Sequence, residues 1–247
     1  MVKQNKYAIE YSVATLICTF VVGQVTLWLF PDGTSVWSSV LFIFMNLLPM
    51  IAAGCFSIVT GECKNVFDFL KKAFCQKESL LAYGCAIMVS VIYYGVSTVL
   101  GNVTYTGAPL LALVSYFPWT ILQGGLEEVG WRWYLQTHLS IKKSYILKMF
   151  VISVIWFLWH IPIYRLPWIT TASSNYLIFY LLILGNTFTF GAVKEFSKGT
   201  VPCVFAHILI DTLAVVMLIQ SRLTGIVVLA AAEILLSLIC LKVKRKI

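Results

Sequence analysis

Apolar runs of helix length, broken by short polar connections, recur along the whole chain. They fall at about Tyr7 to Phe30, Trp37 to Val59, Leu80 to Leu100, Leu110 to Tyr134, Tyr145 to Ile161, Tyr176 to Val193, Thr200 to Ile219 and Thr224 to Leu241. A helix rises about 1.5 Å per residue, so such runs match a hydrocarbon core roughly 30 Å thick. The pattern predicts an all-α, polytopic transmembrane helical bundle of about eight spans. No internal repeat and no low-complexity linker interrupts it, so residues 1–247 read as a single membrane domain. The first run follows Lys3 and Lys6; it is too long for a signal-peptide core and lacks a clear small-residue cleavage site, so a retained first span is expected.

Composition removes the soluble alternatives. The chain is 60% hydrophobic and 11% charged, with mean hydropathy +0.89, more apolar surface than a water-soluble fold can bury. Its seven cysteines, at positions 18, 55, 63, 75, 85, 203 and 240, show no CxxC spacing, which argues against a disulfide framework or a zinc ribbon.

Charge then sets orientation. Lys64, Lys71, Lys72, Lys77, Lys142, Lys143, Lys148, Lys194 and Lys198 fall with the N-terminus on one side, and the tail adds Lys242, Lys244, Arg245 and Lys246. The opposite connections carry Arg165 and Arg222. Positive charge stays on the cytoplasmic side, so both termini are expected there. The net charge of +8 is accounted for by topology and by contact with anionic lipid head groups, and no nucleic-acid partner is needed.

Against this background Glu127 and Glu128, inside the fourth run, stand out. A charged residue at bilayer depth costs at least about 2.5 to 3.5 kcal/mol, which makes such a pair a candidate functional site. Counting from the cytoplasmic lysines at 1.5 Å per residue, Glu128 lies about 21 Å deep, Arg132 about 15 Å, His160 about 18 Å, His207 about 14 Å and Asp211 about 20 Å. Three helices therefore bring their rare ionisable groups to one layer. Glu128 and Arg132 are spaced i and i+4 and are expected to pair, with Glu127 turned away and free to react. His207 and Asp211 share the same spacing, which lets the carboxylate orient the imidazole. Gly124, Gly125 and Gly130 allow close approach of neighbouring helices.

Two carboxylates and two histidines suit hydrolysis: Glu127 with His160 activates water, and His207, oriented by Asp211, stabilises the developing oxyanion. The same residue types admit a second reading, a zinc ion held by Glu127, His160 and His207. The absence of an HExxH motif leaves that reading resting on residue types alone, and the metal-free glutamate route is preferred.

The residues also match a family pattern. Glu127-Glu-Val-Gly-Trp-Arg132 fits Glu-Glu-x-x-x-Arg; Trp156-Phe-Leu-Trp-His160 fits Phe-x-x-x-His with Trp for Phe; His207-Ile-Leu-Ile-Asp211 fits His-x-x-x-Asn with Asp for Asn. In motif order and separation the chain resembles the CPBP intramembrane proteases, also called the CAAX-processing or Abi family, which includes type II prenyl-protein endopeptidases and bacteriocin self-immunity proteins. The resemblance covers a core at about residues 110–219. It implies an eight-helix endopeptidase that cuts a membrane-associated protein or peptide within or near the bilayer, with Glu127, Glu128, Arg132, His160, His207 and Asp211 as its site. Family descriptions include both a metalloprotease and a metal-free glutamate mechanism. Trp156 is expected to preserve an aromatic wall, and Trp133, where glycine is common in the family, to shape the substrate entrance.

Other polar residues receive plainer readings. His138 is expected to be solvated at a cytoplasmic helix end. Cys203, one turn before His207, reads as a small buried hydrophobe rather than a nucleophile. The tryptophans at 119, 131, 133, 156, 159 and 168 fit either a substrate groove or interfacial anchoring. Glu233 has no partner visible in the sequence. Three functions remain: an intramembrane peptidase of a bacterial cell membrane, a catalytically silent immunity or regulatory protein that keeps the fold, and an ion-coupled carrier, against which the missing inverted repeat counts.

Overall fold

The computed structural model describes residues 2–141, 144–169, 173 and 175–244, with the side chains of residues 2–4 left aside. Lys142, Lys143, Arg245 and Lys246, which enter the charge count above, lie outside the described residues, as does the side chain of Lys3. Six helices are long and apolar enough to cross a membrane: α1 (Val2–Leu29), α2 (Val36–Val59), α4 (Leu80–Val99), α7 (Tyr145–Tyr164), α8 (Tyr176–Phe196) and α10 (Leu223–Lys244). The protein is an all-α, multi-pass helical bundle.

Local chemistry fixes the helix starts. Ser35, Ser79 and Ser144 cap α2, α4 and α7 by accepting the N–H of Trp37, Ala82 and Leu147, and Asn175 caps α8 by accepting those of Leu177 and Ile178. α8 is the buried centre, packed against α4, α7, α9 and α10, while α1 and α2 pair on the other side of the site-bearing segment.

The short helix α3 (Val66–Phe74) is an addition that the run pattern did not predict. Asn65 caps it by accepting the Asp68 N–H, and Asp68 Oδ2 reciprocates by accepting the Lys64 N–H at 2.9 Å. That backbone bond, then the Lys72 ammonium at 3.0 Å, holds the Asp68 carboxyl below its usual range. From α3, Phe69 meets the ring of Trp133 at 5.4 Å, so Trp133 packs against this short helix.

Two expected spans differ. The seventh ends early: α9 covers Val201–Leu213, and the chain then extends into β2 (Met217–Ile219), which pairs antiparallel with β1 (Val103–Tyr105). Thirteen helical residues span only about 20 Å at the standard rise. Apolar composition alone does not separate a buried helix from a strand; Ala214, Val215 and Val216 turn the chain and the strand takes Met217, Leu218 and Ile219. The fourth expected span is one continuous helical path that changes winding: α5 (Leu111–Thr120), π-helical Ile121–Gly125, a turn at Leu126, α-wound Glu127 and Glu128, π-helical Val129–Leu135, and α6 (Gln136–His138). The wider winding sits on either side of the carboxylate pair, as π-bulges often do at functional sites.

His138 is not simply solvated. Its Nδ1 lies 2.8 Å from the Tyr134 carbonyl, its Nε2 lies 3.2 Å from Glu62 Oε2, and its ring stacks on Tyr134 at 4.2 Å. Glu233 is fully buried on α10, and neither of its carboxyl oxygens has a hydrogen-bond partner among the described residues. It fits because α8 presents Gly185 there, where a Cβ would collide with the Glu233 carboxyl.

The charge asymmetry predicts that the α3 side is cytoplasmic and the β1–β2 side external. In a background free of native cysteines, Tyr105→Cys should react with an impermeant thiol reagent in intact cells and Lys77→Cys only after lysis. Equal labelling of both in intact cells would overturn the orientation.

Candidate active site

The π-wound segment, α7 and α9 converge on one buried cluster. Arg132 Nε donates to Glu128 Oε2 at 2.7 Å, and both side chains are fully buried. This is the pair expected from the i, i+4 spacing. The Arg132 guanidinium also lies 5.1 Å from the ring of Trp156 and 5.8 Å from that of Phe190, and its Nη1 reaches the Thr187 carbonyl of α8 at 3.4 Å. Aromatic faces thus take up part of the charge that hydrogen bonds leave over.

The other oxygen of Glu128 holds His207: Oε1 lies 2.9 Å from Nδ1. Asp211 Oδ2 is 3.6 Å from Nε2, outside hydrogen-bond distance, and Asp211 is the most exposed of the six candidates, at 28% of its side chain. The orienting partner of His207 is therefore Glu128, not Asp211. The physical reason is reach across helices: Gly124 lets α9 approach until His207 and Asp211 lie against its backbone, where a Cβ would meet both. Contacts at Thr120 Oγ1 to Thr212 Oγ1 (3.0 Å) and Tyr94 Oη to the Ile210 carbonyl (2.7 Å) hold α9 at that depth.

Glu127 is not turned away from the pair. Its Oε1 is 3.7 Å from His207 Nε2, so adjacent carboxylates face opposite nitrogens of one ring. At Nε2 neither Glu127 nor Asp211, at 3.7 and 3.6 Å, is within hydrogen-bond distance. Nor is Glu127 free, because its Oε2 accepts the indole N–H of Trp131 and of Trp156, each at 2.9 Å.

His160 joins the cluster at one remove, with no direct contact to Glu127. Its Nδ1 is 2.8 Å from the Trp156 carbonyl, and since a carbonyl only accepts, that nitrogen carries the proton. Nε2 is then the acceptor of the neutral ring. Tyr164 and Phe179 pack on the imidazole, both at 5.3 Å.

Residues 109–213 match the family model described as type II CAAX prenyl endopeptidase, Rce1-like. The segment is similar to that family over these residues. All three motifs resembling the CAAX-processing family lie inside it, and it ends with α9, before β2. No curated protein matches the chain.

Within the matched segment, two residues to which the sequence reading gave no role at the carboxylates touch Glu127. Trp131 follows Glu127 by four positions, a spacing that was available as a signal, whereas the reach of Trp156 from α7 was not. Trp131, Trp133, Trp156 and Trp159 are buried, so they are neither interfacial anchors nor an open groove. Cys203 is buried with its thiol 3.9 Å from the Phe190 carbonyl and joins no catalytic pair. Among the described residues no three His, Cys, Asp or Glu side chains gather as a metal-ligand set. Of the residues read as a zinc set, Glu127 Oε2 accepts two indoles, His207 Nδ1 meets Glu128 and His160 Nδ1 meets the Trp156 carbonyl, which leaves Glu127 Oε1, His160 Nε2 and His207 Nε2 as the atoms that would face a metal.

Glu128→Gln should strand Arg132 and release His207, and breaking a buried pair of this kind costs about 3 to 5 kcal/mol. Thermal unfolding of the purified protein in detergent should show a large loss for Glu128→Gln and for Arg132→Ala, with little change for Glu127→Gln. Wild-type stability in Glu128→Gln would contradict the pairing.

Proposed function

We propose that this protein is an intramembrane endopeptidase of the cell membrane, hydrolysing a peptide bond in a membrane-associated protein or peptide. The observation that carries the reading is the approach of Glu127 Oε1 to His207 Nε2 at 3.7 Å, inside a buried layer of the segment that matches the Rce1-like family model. A carboxylate and an imidazole side by side supply the acceptor and the donor that amide hydrolysis needs.

In this reading Glu127 Oε1 takes a proton from water as the water oxygen bonds to the scissile carbonyl carbon. His207, held through Nδ1 by Glu128, donates from Nε2 to the oxyanion. The proton on Glu127 then passes to the amide nitrogen as the C–N bond breaks, giving a carboxylate and an amine. His160 offers Nε2 as a further acceptor for the water. Asp211, at the more open side of His207, adds negative potential without fixing the ring. Burial strengthens each of these interactions by excluding competing water.

Glu127→Gln removes the acceptor while keeping size and hydrogen bonding. Comparative membrane peptidomics should then show one or more peptides accumulating uncut, with the protein present at wild-type level. Cleavage and phenotype indistinguishable from wild type would instead favour a silent immunity or regulatory protein.

The absence of an HExxH motif from the sequence supports a metal-free route. Purified active protein should contain far less than one zinc per chain and keep its activity in strong chelator. Stoichiometric zinc, with activity lost on chelation and restored by zinc, would overturn that part of the reading.

A further inference from the structure

Glu127 is held by two tryptophans in an unusual division of labour between its oxygens. Oε2 receives both indole N–H groups, Trp131 from its own helix and Trp156 from α7, each at 2.9 Å. Oε1 receives neither and is the oxygen that faces His207 Nε2. An indole nitrogen can only donate, so neither tryptophan can take the proton that hydrolysis must move.

Both rings are themselves fixed. Trp131 is fully buried, edge-on to Trp159 at 5.7 Å and to Tyr11 at 6.1 Å. Trp156 is 1% exposed, tilted against Phe190 at 6.0 Å and beneath the Arg132 guanidinium at 5.1 Å. Trp156 has a second connection, since its backbone carbonyl accepts from His160 Nδ1. One residue thus ties the carboxylate to the second histidine.

We propose that Trp131 and Trp156 are positioning residues for the reaction read above: together they occupy Glu127 Oε2 and so make Oε1 the single proton-accepting oxygen, aimed at the space beside His207. The inference rests on Glu127 being the base. It gives a role to the departure of this chain from the resembled motif, because phenylalanine at position 156 would keep the aromatic wall and lack the N–H. Two donors to one oxygen also favour the ionised carboxylate, the form that can accept a proton.

The test uses the full-length protein in liposomes and, as substrate, the membrane peptide that accumulates uncut in Glu127→Gln cells. Trp156→Phe removes the donor and keeps a ring; replacing Trp156 with benzothienylalanine, which has sulfur where indole has N–H, removes the donor and keeps the shape. A hydrogen bond to a charged group lost at this site should lower kcat about tenfold with KM nearly unchanged. The acid limb of the pH–rate profile should move to higher pH in both variants, as expected when a donor to the charged form is lost. Trp131→Phe should do the same, and the Trp131→Phe, Trp156→Phe double variant should exceed either.

Unchanged kcat and pH profile in the benzothienylalanine protein, with Glu127→Gln inactive, would overturn the positioning role and leave the peptidase reading standing. A fall in kcat without any movement of the acid limb would mark a packing effect and would equally overturn it. Activity retained in Glu127→Gln would remove the peptidase reading itself and this inference with it.

Discussion

The rest of the structure depends on the burial of Glu128 against Arg132. Two opposite charges taken out of water lose their hydration, and in this layer neither side chain has solvent contact. Their attraction offsets that loss only with short, well-directed bonds and further partners for the remaining polar atoms. The 2.7 Å bond from Nε, the Thr187 carbonyl, the faces of Trp156 and Phe190, and His207 on the second carboxylate oxygen supply most of them, with Arg132 Nη2 left without a hydrogen-bond partner among the described residues. Every one of these partners comes from a different segment than the pair itself. The ion pair can therefore be buried only when α7, α8 and α9 are all in place around it.

That requirement shapes the helices. α9 must come close enough for His207 to reach Glu128, which Gly124 permits, and α2 and α1 must pack behind, where a Cβ on Gly130 would meet Pro49 and the Tyr11 hydroxyl. Gly125 does the same towards Val204 and Ile208. The π-winding on both sides of Glu127 and Glu128 belongs to the same problem. It carries two consecutive carboxylates to opposite nitrogens of one imidazole while Glu128 keeps its i, i+4 bond to Arg132. With Phe190 and Trp156 against the His207 ring at 5.2 and 5.7 Å, the cluster lies in an apolar shell where each electrostatic contact is strong and an unpaired one costly.

Short extended segments complete the design where α9 stops. Backbone groups beyond the end of α9 need partners, and β1 and β2 provide them for one another, extended at either end by the Thr106 N–H to the Val216 carbonyl (3.1 Å) and the Gln220 N–H to the Asn102 carbonyl (2.8 Å). A shorter α9 leaves Asp211 two residues from the helix end and partly exposed, on the open side of His207. Glu233 shows the opposite arrangement, a carboxyl enclosed between α10 and α8 without a hydrogen-bond partner among the described residues.

The sequence by itself determined the multi-pass helical bundle, the runs that become the six long helices and the i, i+4 pair of Glu128 and Arg132. Those features depend on length, local periodicity and spacing within a helix, which a linear chain displays directly. Only the tertiary structure decided that Glu128 rather than Asp211 holds His207, that Glu127 carries two indole donors, and that His160 reaches the cluster through Trp156. It also decided that Thr200 to Ile219 is a short helix followed by a strand. Contacts between helices depend on rotation and depth, which differences of an ångström reverse: 2.9 Å separates His207 from Glu128 and 3.6 Å separates it from Asp211, and no spacing in the sequence encodes that difference.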